Sequence, residues 1–140
     1  MHVYPILVQL EDCDAGGIVY HANYLNYMER ARSQILRDAG KSFGEWLKAG
    51  VGIVVAEAKM KFIRPARLDD RLWVLTTVQL SGRADMWLKQ VVVNQDPATT
   101  DPATATIHAA EIRLVCVDMT SVKPREWTAE LRKALGLPGA

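Results

Sequence analysis

The sequence predicts an α+β fold, in which an antiparallel sheet of about five strands wraps around one long helix. Three observations support this prediction. One segment repeats apolar residues at helical spacing, other segments alternate apolar and polar residues at the period of a strand, and short connections join these strands. Short connections favour antiparallel pairing, and a sheet with an apolar face needs a helix to cover it. The 140 residues are predicted to form a single domain, 1–140.

The first strand is predicted at residues 3–10, where Pro5 favours a place at the sheet edge or at the beginning of the strand. The long helix is predicted at about 22–39, because apolar residues recur there every three or four positions and Gly40 supplies a stop. A short second helix is predicted after Ser42, which begins a capping-box pattern.

Period-2 alternation predicts four more strands, of which the first begins at Val51 and ends before Pro65. The others are predicted at 72–80, 86–94 and 105–118. Residues 95–104 contain a short tandem DPAT with two prolines, which indicates a hairpin loop and no further element. A C-terminal helix is predicted at 126–136, ending at Gly136.

Composition excludes several classes of protein. Hydrophobic residues make up 49%, charged residues 24%, and the net charge is +1, which is typical of a globular protein that does not bind nucleic acid through bulk charge. No apolar run approaches the ~20 residues of a transmembrane helix. The two cysteines form no disulfide framework and no secretory leader precedes the first strand, so we expect a reduced, cytoplasmic protein.

The stretch most informative about function is EDCDAGGIVYHANYLNYMERAR, residues 11–32. A turn that opens a helix collects unpaired backbone N–H groups and the positive end of the helix dipole, so it stabilises developing negative charge. Gly16 and Gly17 allow a ligand to approach the main chain closely. Asp14 or Asp12 is then a candidate base or nucleophile toward a carbonyl group held by those amides. An equally good interpretation makes Asp14 only a turn residue with an Asx-type bond.

Other groups in the sequence have simpler interpretations. Cys13 near His21 suggests a thiolate nucleophile, but a free cysteine is more often a small buried residue. The three histidines lack the paired spacing of a zinc site, so we expect no metal. Glu29 and Arg32 are expected to form a solvated ion pair on the helix.

The segment DCDAGGIVYHANYLNYMERAR resembles, without a gap, the signature of the 4-hydroxybenzoyl-CoA thioesterase family of hotdog-fold proteins. It is most similar to the YbgC-like, Tol-Pal-associated branch of acyl-CoA thioesterases. The resemblance continues through FIRPARLDDRLWV and through LVCVD followed by KPR, so it covers most of the chain. It implies a homodimer or homotetramer in which two sheets join and the active sites lie at the dimer interface.

The resemblance also assigns roles in the hydrolysis of an acyl-CoA thioester. Asp14 corresponds to the catalytic carboxylate, as general base or nucleophile, and Asp12 does not. A main-chain N–H that holds the thioester carbonyl falls on His21, Gly17 shapes the turn, and the role of the His21 side chain stays open. Substrate-binding positions follow between them, at Ile18, Val19 and Tyr20.

Basic residues near the strand ends are expected to meet the phosphates of coenzyme A, with Arg64, Arg67, Lys123 and Arg125 the best candidates. Coenzyme A is part of the substrate, and no other cofactor is expected. The alternative is a hotdog-fold module that binds acyl carrier protein or serves as a scaffold in the cell-envelope machinery. Intact Asp14 and Gly17 favour the enzyme.

Overall fold

The computed structural model describes residues 1–137, so residues 138–140 of the predicted domain lie outside it. The described chain contains five strands and four α-helices. The strands are β1 (His2–Leu7), β2 (Val51–Phe62), β3 (Arg71–Ser81), β4 (Asp85–Val93) and β5 (Thr106–Asp118). The helices are α1 (Asn23–Asp38), α2 (Phe43–Lys48), α3 (Pro102–Ala105) and α4 (Ala129–Leu135).

The five strands form one antiparallel sheet in the order β1-β3-β4-β5-β2. This confirms the predicted strand number and pairing sense. β1 is an edge strand, which explains why it tolerates Pro5, a residue without an N–H group. β2 forms the opposite edge and pairs only with β5 among the described strands, so the chain crosses from one side of the sheet to the other between β2 and β3.

α1 has 16 residues, whereas the other helices have between 4 and 7. Its buried residues recur at helical spacing and belong to the same core cluster as the inward-facing residues of the strands. They are Tyr24, Tyr27, Met28, Ala31 and Leu36. The predicted bounds of this helix, 22–39, differ from the observed ones by one residue at each end, and Gly40 follows it with φ +97°.

A buried amide joins α1 to the sheet. The side chain of Gln90 on β4 donates to the carbonyl of Met28 at 3.1 Å and to Oγ1 of Thr76 at 2.9 Å, and its oxygen accepts from Arg32 at 2.8 Å. Arg32 also lies 3.3 Å from Glu29, but only 14% of its side chain is exposed. The prediction of a solvated pair is therefore wrong for Arg32, whose guanidinium is bound by the sheet.

The structure corrects three predicted element bounds. The first strand ends at Leu7 and not at residue 10, because the chain then turns into a 3-10 helix, Leu10–Asp12. The loop at 95–104 includes the beginning of α3, since Asp101 caps that helix by accepting from the N–H of Ala103 at 3.0 Å. The C-terminal helix begins at Ala129, because Thr128 caps it.

Two predicted helix signals are confirmed. Ser42 accepts from the N–H of Glu45 and completes the capping box of α2. Gly136 ends α4 with φ +70°, a conformation that favours glycine. None of the helices in residues 1–137 has both the length and the apolar character that crossing a membrane requires.

Candidate active site

The loop between the 3-10 helix and α1 folds back on itself. The N–H of Asp14 donates to the carbonyl of Ile18 at 2.9 Å, and the N–H of Gly17 donates to the carbonyl of Asp14 at 3.1 Å. Gly17 has φ +72°, a backbone angle that other residues rarely adopt, so the turn requires glycine there. This agrees with the predicted role of Gly17 in shaping the turn.

Asp12 anchors the loop from inside the protein. Its side chain is 5% exposed, and Oδ2 accepts from the hydroxyl of Tyr27 at 2.9 Å and from the N–H of Gln9 at 2.9 Å. Its carbonyl accepts from the N–H of Tyr20 at 2.9 Å and from Nδ2 of Asn23 at 2.7 Å. Burial raises the pKa of the Tyr27 phenol, and its bond to Asp12 raises it further. Asp12 therefore serves as a structural acceptor.

Asp14 has a different environment. It is exposed, and its Oδ1 accepts from the N–H of Gly16 at 2.9 Å, the Asx-type bond that the turn interpretation predicts. Its other carboxylate oxygen accepts no hydrogen bond from residues 1–137. The turn bond therefore occupies one oxygen and leaves the other free for a water molecule or a substrate.

The beginning of α1 leaves backbone donors open. The residue that caps α1 is Ala22, which has no side-chain acceptor. The N–H of His21, in the turn directly before the helix, donates to no acceptor within residues 1–137. An unpaired N–H at the positive end of a helix dipole favours a developing oxyanion. His21 therefore lies directly before the N-cap of α1, at the position where the family resemblance expects the N–H that holds the thioester carbonyl.

A cleft of about 270 Å³ opens next to this turn. Four of the predicted site residues line it, and its other walls come from α1, from the end of β2 and from the segment that follows β2. The lining residues are Ile18, Val19, His21, Tyr24, Phe62, Ile63, Arg64 and Pro65. Tyr20 is not among them, since its half-exposed ring lies against that of His21 with centroids 4.3 Å apart.

The aromatic wall of the cleft was not predicted. Tyr24 and Phe62 line it, and behind them lies His108 of β5, which is fully buried. The rings of Tyr24 and His108 are stacked at 4.5 Å with 9° between their planes, and Phe62 meets His108 edge-on at 4.7 Å. The strand alternation places His108 inward, but only the pairing of β2 with β5 brings it to Phe62.

The Cys13 thiol is a poor candidate nucleophile. Burial raises its pKa, and the carboxylates of Asp12 and Asp14 raise it further, so the reactive thiolate is disfavoured. Its Sγ lies 3.6 Å from the carbonyl of Gln9. Within residues 1–137, no group of three His, Cys, Asp or Glu side chains is arranged to hold a metal ion.

The four basic residues predicted to meet coenzyme A lie at two ends of the sheet. Arg64 lines the cleft and donates to the carbonyls of Thr104 and Thr106, and the backbone of Arg67 bridges to Ile18. Lys123 and Arg125 follow the other end of β5. The register of β2 and β5 separates the two ends, because Phe62 pairs with His108 whereas Val51 pairs with Asp118.

Comparison with known proteins assigns the family. Residues 8–135 match the thioesterase-like superfamily. The chain belongs to this superfamily. It is 35% identical over 122 residues to the acyl-CoA thioester hydrolase YbgC of Escherichia coli O6:H1, a match that covers 87% of this chain and 86% of that protein. The YbgC-like resemblance predicted from the loop signature is therefore confirmed.

Solved structures agree with this assignment. A protein of Aquifex aeolicus is similar with a TM-score of 0.84 and 25% identity, covering 95% of this chain and 98% of that one. A probable thioesterase of Bartonella henselae is similar with a TM-score of 0.79 and 27% identity, covering 91% and 98%. The similarity to these two structures is consistent with a hotdog fold for this chain.

Removal of the two aspartate side chains of the loop is predicted to lower stability by different amounts. Asp12→Ala leaves the buried Tyr27 hydroxyl and the Gln9 N–H without their acceptor, so we expect the free energy of unfolding to fall by about 2–4 kcal/mol. Asp14→Ala removes one exposed bond that water can replace, and should lower it by less than about 1 kcal/mol. Urea denaturation of both variants measures the difference, and equal losses would contradict the structural role of Asp12.

Proposed function

We propose that the protein is an acyl-CoA thioesterase, which hydrolyses a thioester to a free acid and coenzyme A. One observation carries the proposal: the loop that presents the free carboxylate oxygen of Asp14 also presents the unpaired N–H of His21, beside a cleft. The N–H of Tyr20 and the side chain of Asn23 donate to the main-chain carbonyl of Asp12, which holds the two ends of this loop together. The name of the Escherichia coli relative, an acyl-CoA thioester hydrolase, supports the same substrate class.

The reaction requires a polarised carbonyl and a base or nucleophile. In this proposal the thioester oxygen accepts a hydrogen bond from the N–H of His21. The dipole of α1 stabilises the negative charge that develops on that oxygen. Asp14 then acts in one of two ways. It takes a proton from a water molecule that attacks the carbonyl carbon, or its own oxygen attacks and forms a mixed anhydride that water hydrolyses.

Both routes break the same bond. The carbon–sulfur bond opens, the electron pair leaves with sulfur, and coenzyme A departs as a thiolate that takes up a proton. Because a thiolate is a good leaving group, a carboxylate suffices without a Ser-His-Asp arrangement. We therefore propose a mechanism without a metal ion or a further cofactor.

The proposed assembly is a hotdog dimer in which each sheet wraps around α1 and two β2 edges pair. β2 has 12 residues, and its outer side pairs with no strand of residues 1–137, so it is a template for another strand. It also carries exposed apolar side chains such as Val54 and Phe62. Antiparallel pairing about a two-fold axis sets the Val51 end of one β2 beside the Phe62 end of the other. Lys123 and Arg125 would then approach the cleft of the partner.

A hydrolysis panel tests the function directly. Short, long and aromatic acyl-CoAs are incubated with the protein, and thiol release is followed with a thiol reagent. We expect at least one acyl-CoA to be hydrolysed with saturation kinetics. Negligible hydrolysis of the whole panel, together with recovery of acyl carrier protein in a pull-down, would favour the binding module instead. Acyl carrier protein as a partner, a homotetramer formed from two dimers, the Tol-Pal association and a cytoplasmic location stay predictions.

The first prediction within this mechanism concerns Asp14. Asp14→Asn keeps the size and turn-forming ability of the side chain but removes its basicity, so kcat should fall by at least ~10²–10⁴-fold while KM changes little. The measurement is kcat on the best acyl-CoA of the panel, with circular dichroism to verify folding.

Two neighbouring variants serve as controls for Asp14. Cys13→Ser should retain most activity, because the raised pKa of its thiol disfavours a thiolate nucleophile. Asp12→Asn removes the charge of the buried carboxylate alone, so its kcat shows whether a loss of activity is specific to the exposed carboxylate of Asp14. A folded, active Asp14→Asn protein would contradict the mechanism. An inactive, folded Cys13→Ser protein would indicate that Cys13 is the nucleophile.

The second prediction concerns the assembly. Light scattering should give a dimer or tetramer at micromolar concentration, and Val54→Lys on β2 should shift the mass toward the monomer by placing a charge at the paired edge. Val3→Lys on β1 is a matched control, since the two valines are 40% and 41% exposed on opposite edges of the sheet. A wild-type monomer, or an equal effect of both variants, argues against pairing through β2.

The third prediction concerns the phosphates of coenzyme A. Changing Arg64, Arg67, Lys123 and Arg125 together to Gln should raise KM for acyl-CoA by about 10-fold with a smaller effect on kcat, because phosphate binding depends on positive charge. Arg37→Gln, an exposed change at the far end of α1, is the control. If the variant with all four substitutions has an unaltered KM, these residues do not bind the phosphates of coenzyme A.

A further inference from the structure

His108 has no role in the proposed chemistry, yet its environment is unusual for a polar side chain. It is fully buried, and neither Nδ1 nor Nε2 has a hydrogen-bond partner in residues 1–137. Burial lowers its pKa to about 4, so the imidazole is neutral near pH 7 and carries one donor and one acceptor. Buried polar groups are nearly always paired, and an unpaired one calls for an explanation.

The contacts of His108 connect it to the cleft. It stacks on Tyr24 and meets the edge of Phe62, and both of these residues line the cleft beside His21. Phe62 is 53% exposed, so its ring has room to change rotamer. Such a change would remove one of the two rings that contact the imidazole and would open a path to it from the cleft.

The rest of the wall is fixed. The hydroxyl of Tyr24 accepts from the N–H of Ala66 at 3.3 Å, which holds the stacked ring against the segment after β2. His108 itself lies near one end of β5, between the neighbouring strands β4 and β2, opposite Val92 and Phe62. A ligand group that reaches this position therefore meets a rigid, apolar, aromatic wall with one polar feature.

The geometry points to His108 as a specificity-determining residue, which hydrogen-bonds a neutral oxygen on the acyl group of the substrate. This inference rests on the proposed thioesterase function and deepens it. A hydroxyl group suits the site, because it can donate to one ring nitrogen or accept from the other without bringing a charge into the aromatic cluster. A carboxylate would require burial of its charge, which is costly without a paired cation.

The preference for an oxygen follows from the cost of leaving the imidazole unpaired. A purely hydrocarbon acyl group that fills the same space covers His108 and gives it no partner. A site that offers a buried hydrogen-bonding group discriminates strongly against the analogue that lacks the matching group. His108 therefore favours hydroxylated acyl groups over their unsubstituted analogues.

The test compares acyl-CoAs that differ by one hydroxyl group. The pairs are 3-hydroxybutyryl-CoA with butyryl-CoA and 4-hydroxybenzoyl-CoA with benzoyl-CoA, and the readout is the ratio of kcat/KM within each pair. We expect the wild type to prefer the hydroxylated member of at least one pair by about 10-fold or more. His108→Phe keeps the ring stack but lacks both nitrogens, so this ratio should fall close to one.

Two further variants separate hydrogen bonding from packing. His108→Asn lacks the ring but keeps a donor and an acceptor, so it should retain part of the preference even if its overall rate is lower. Ile112→Val trims a buried residue on the same face of β5 and should leave the ratio unchanged. If His108→Phe does not fold, the ratio measured for His108→Asn decides.

The outcomes distinguish the two proposals. A wild type that hydrolyses acyl-CoAs but treats both members of each pair alike overturns the role of His108 and leaves the thioesterase function intact. A His108→Phe variant that keeps the wild-type preference overturns it as well, and assigns the imidazole a packing role alone. Absence of any hydrolysis overturns the proposed function, and the inference on His108 falls with it.

Discussion

The buried carboxylate of Asp12 is the constraint on which the rest of the site depends. The carboxylate accepts a hydrogen bond from the Tyr27 hydroxyl of α1. The main-chain carbonyl of Asp12 accepts from the N–H of Tyr20 and from the side chain of Asn23. Hydrogen bonds to a charged acceptor stabilise by roughly 1.5–3 kcal/mol each. The loop is therefore locked to the first turns of the helix, and that lock determines where the N–H of His21 and the carboxylate of Asp14 lie.

Two aspartates separated by one residue thus have different tasks because their surroundings differ. Asp12 faces inward, where its Oδ2 accepts hydrogen bonds from the Tyr27 hydroxyl and the Gln9 N–H. Asp14 lies on the outside of the turn, where one oxygen accepts from the backbone and the other has no donor among residues 1–137 and faces solvent. A side chain that acts on a bound substrate has to be accessible from the surface, and a buried anchor is not.

The sheet contributes to the site through pairings distant in the chain. Phe62 at the end of β2 and His108 near the beginning of β5 are brought together by strand register, and both join Tyr24 of α1 in the aromatic wall. β2, which supplies Phe62 to this wall, is also an edge strand that pairs only with β5 among the described strands. The proposed substrate selection and the proposed dimerisation therefore involve the same strand, and we expect assembly to affect the shape of the cleft.

The sequence by itself determined the local features of this protein. Periodicity located the five strands and α1 to within a few residues, and the glycines and the motif spacing located the turn around Gly17, because these depend on neighbours in the chain. The burial of Asp12, the binding of Arg32 by Gln90 and the stacking of His108 on Tyr24 were decided only by the tertiary structure. Each joins residues at least 15 positions apart, and such contacts arise from the packing of α1 on the sheet and from the order and register of the strands, which local propensity does not encode.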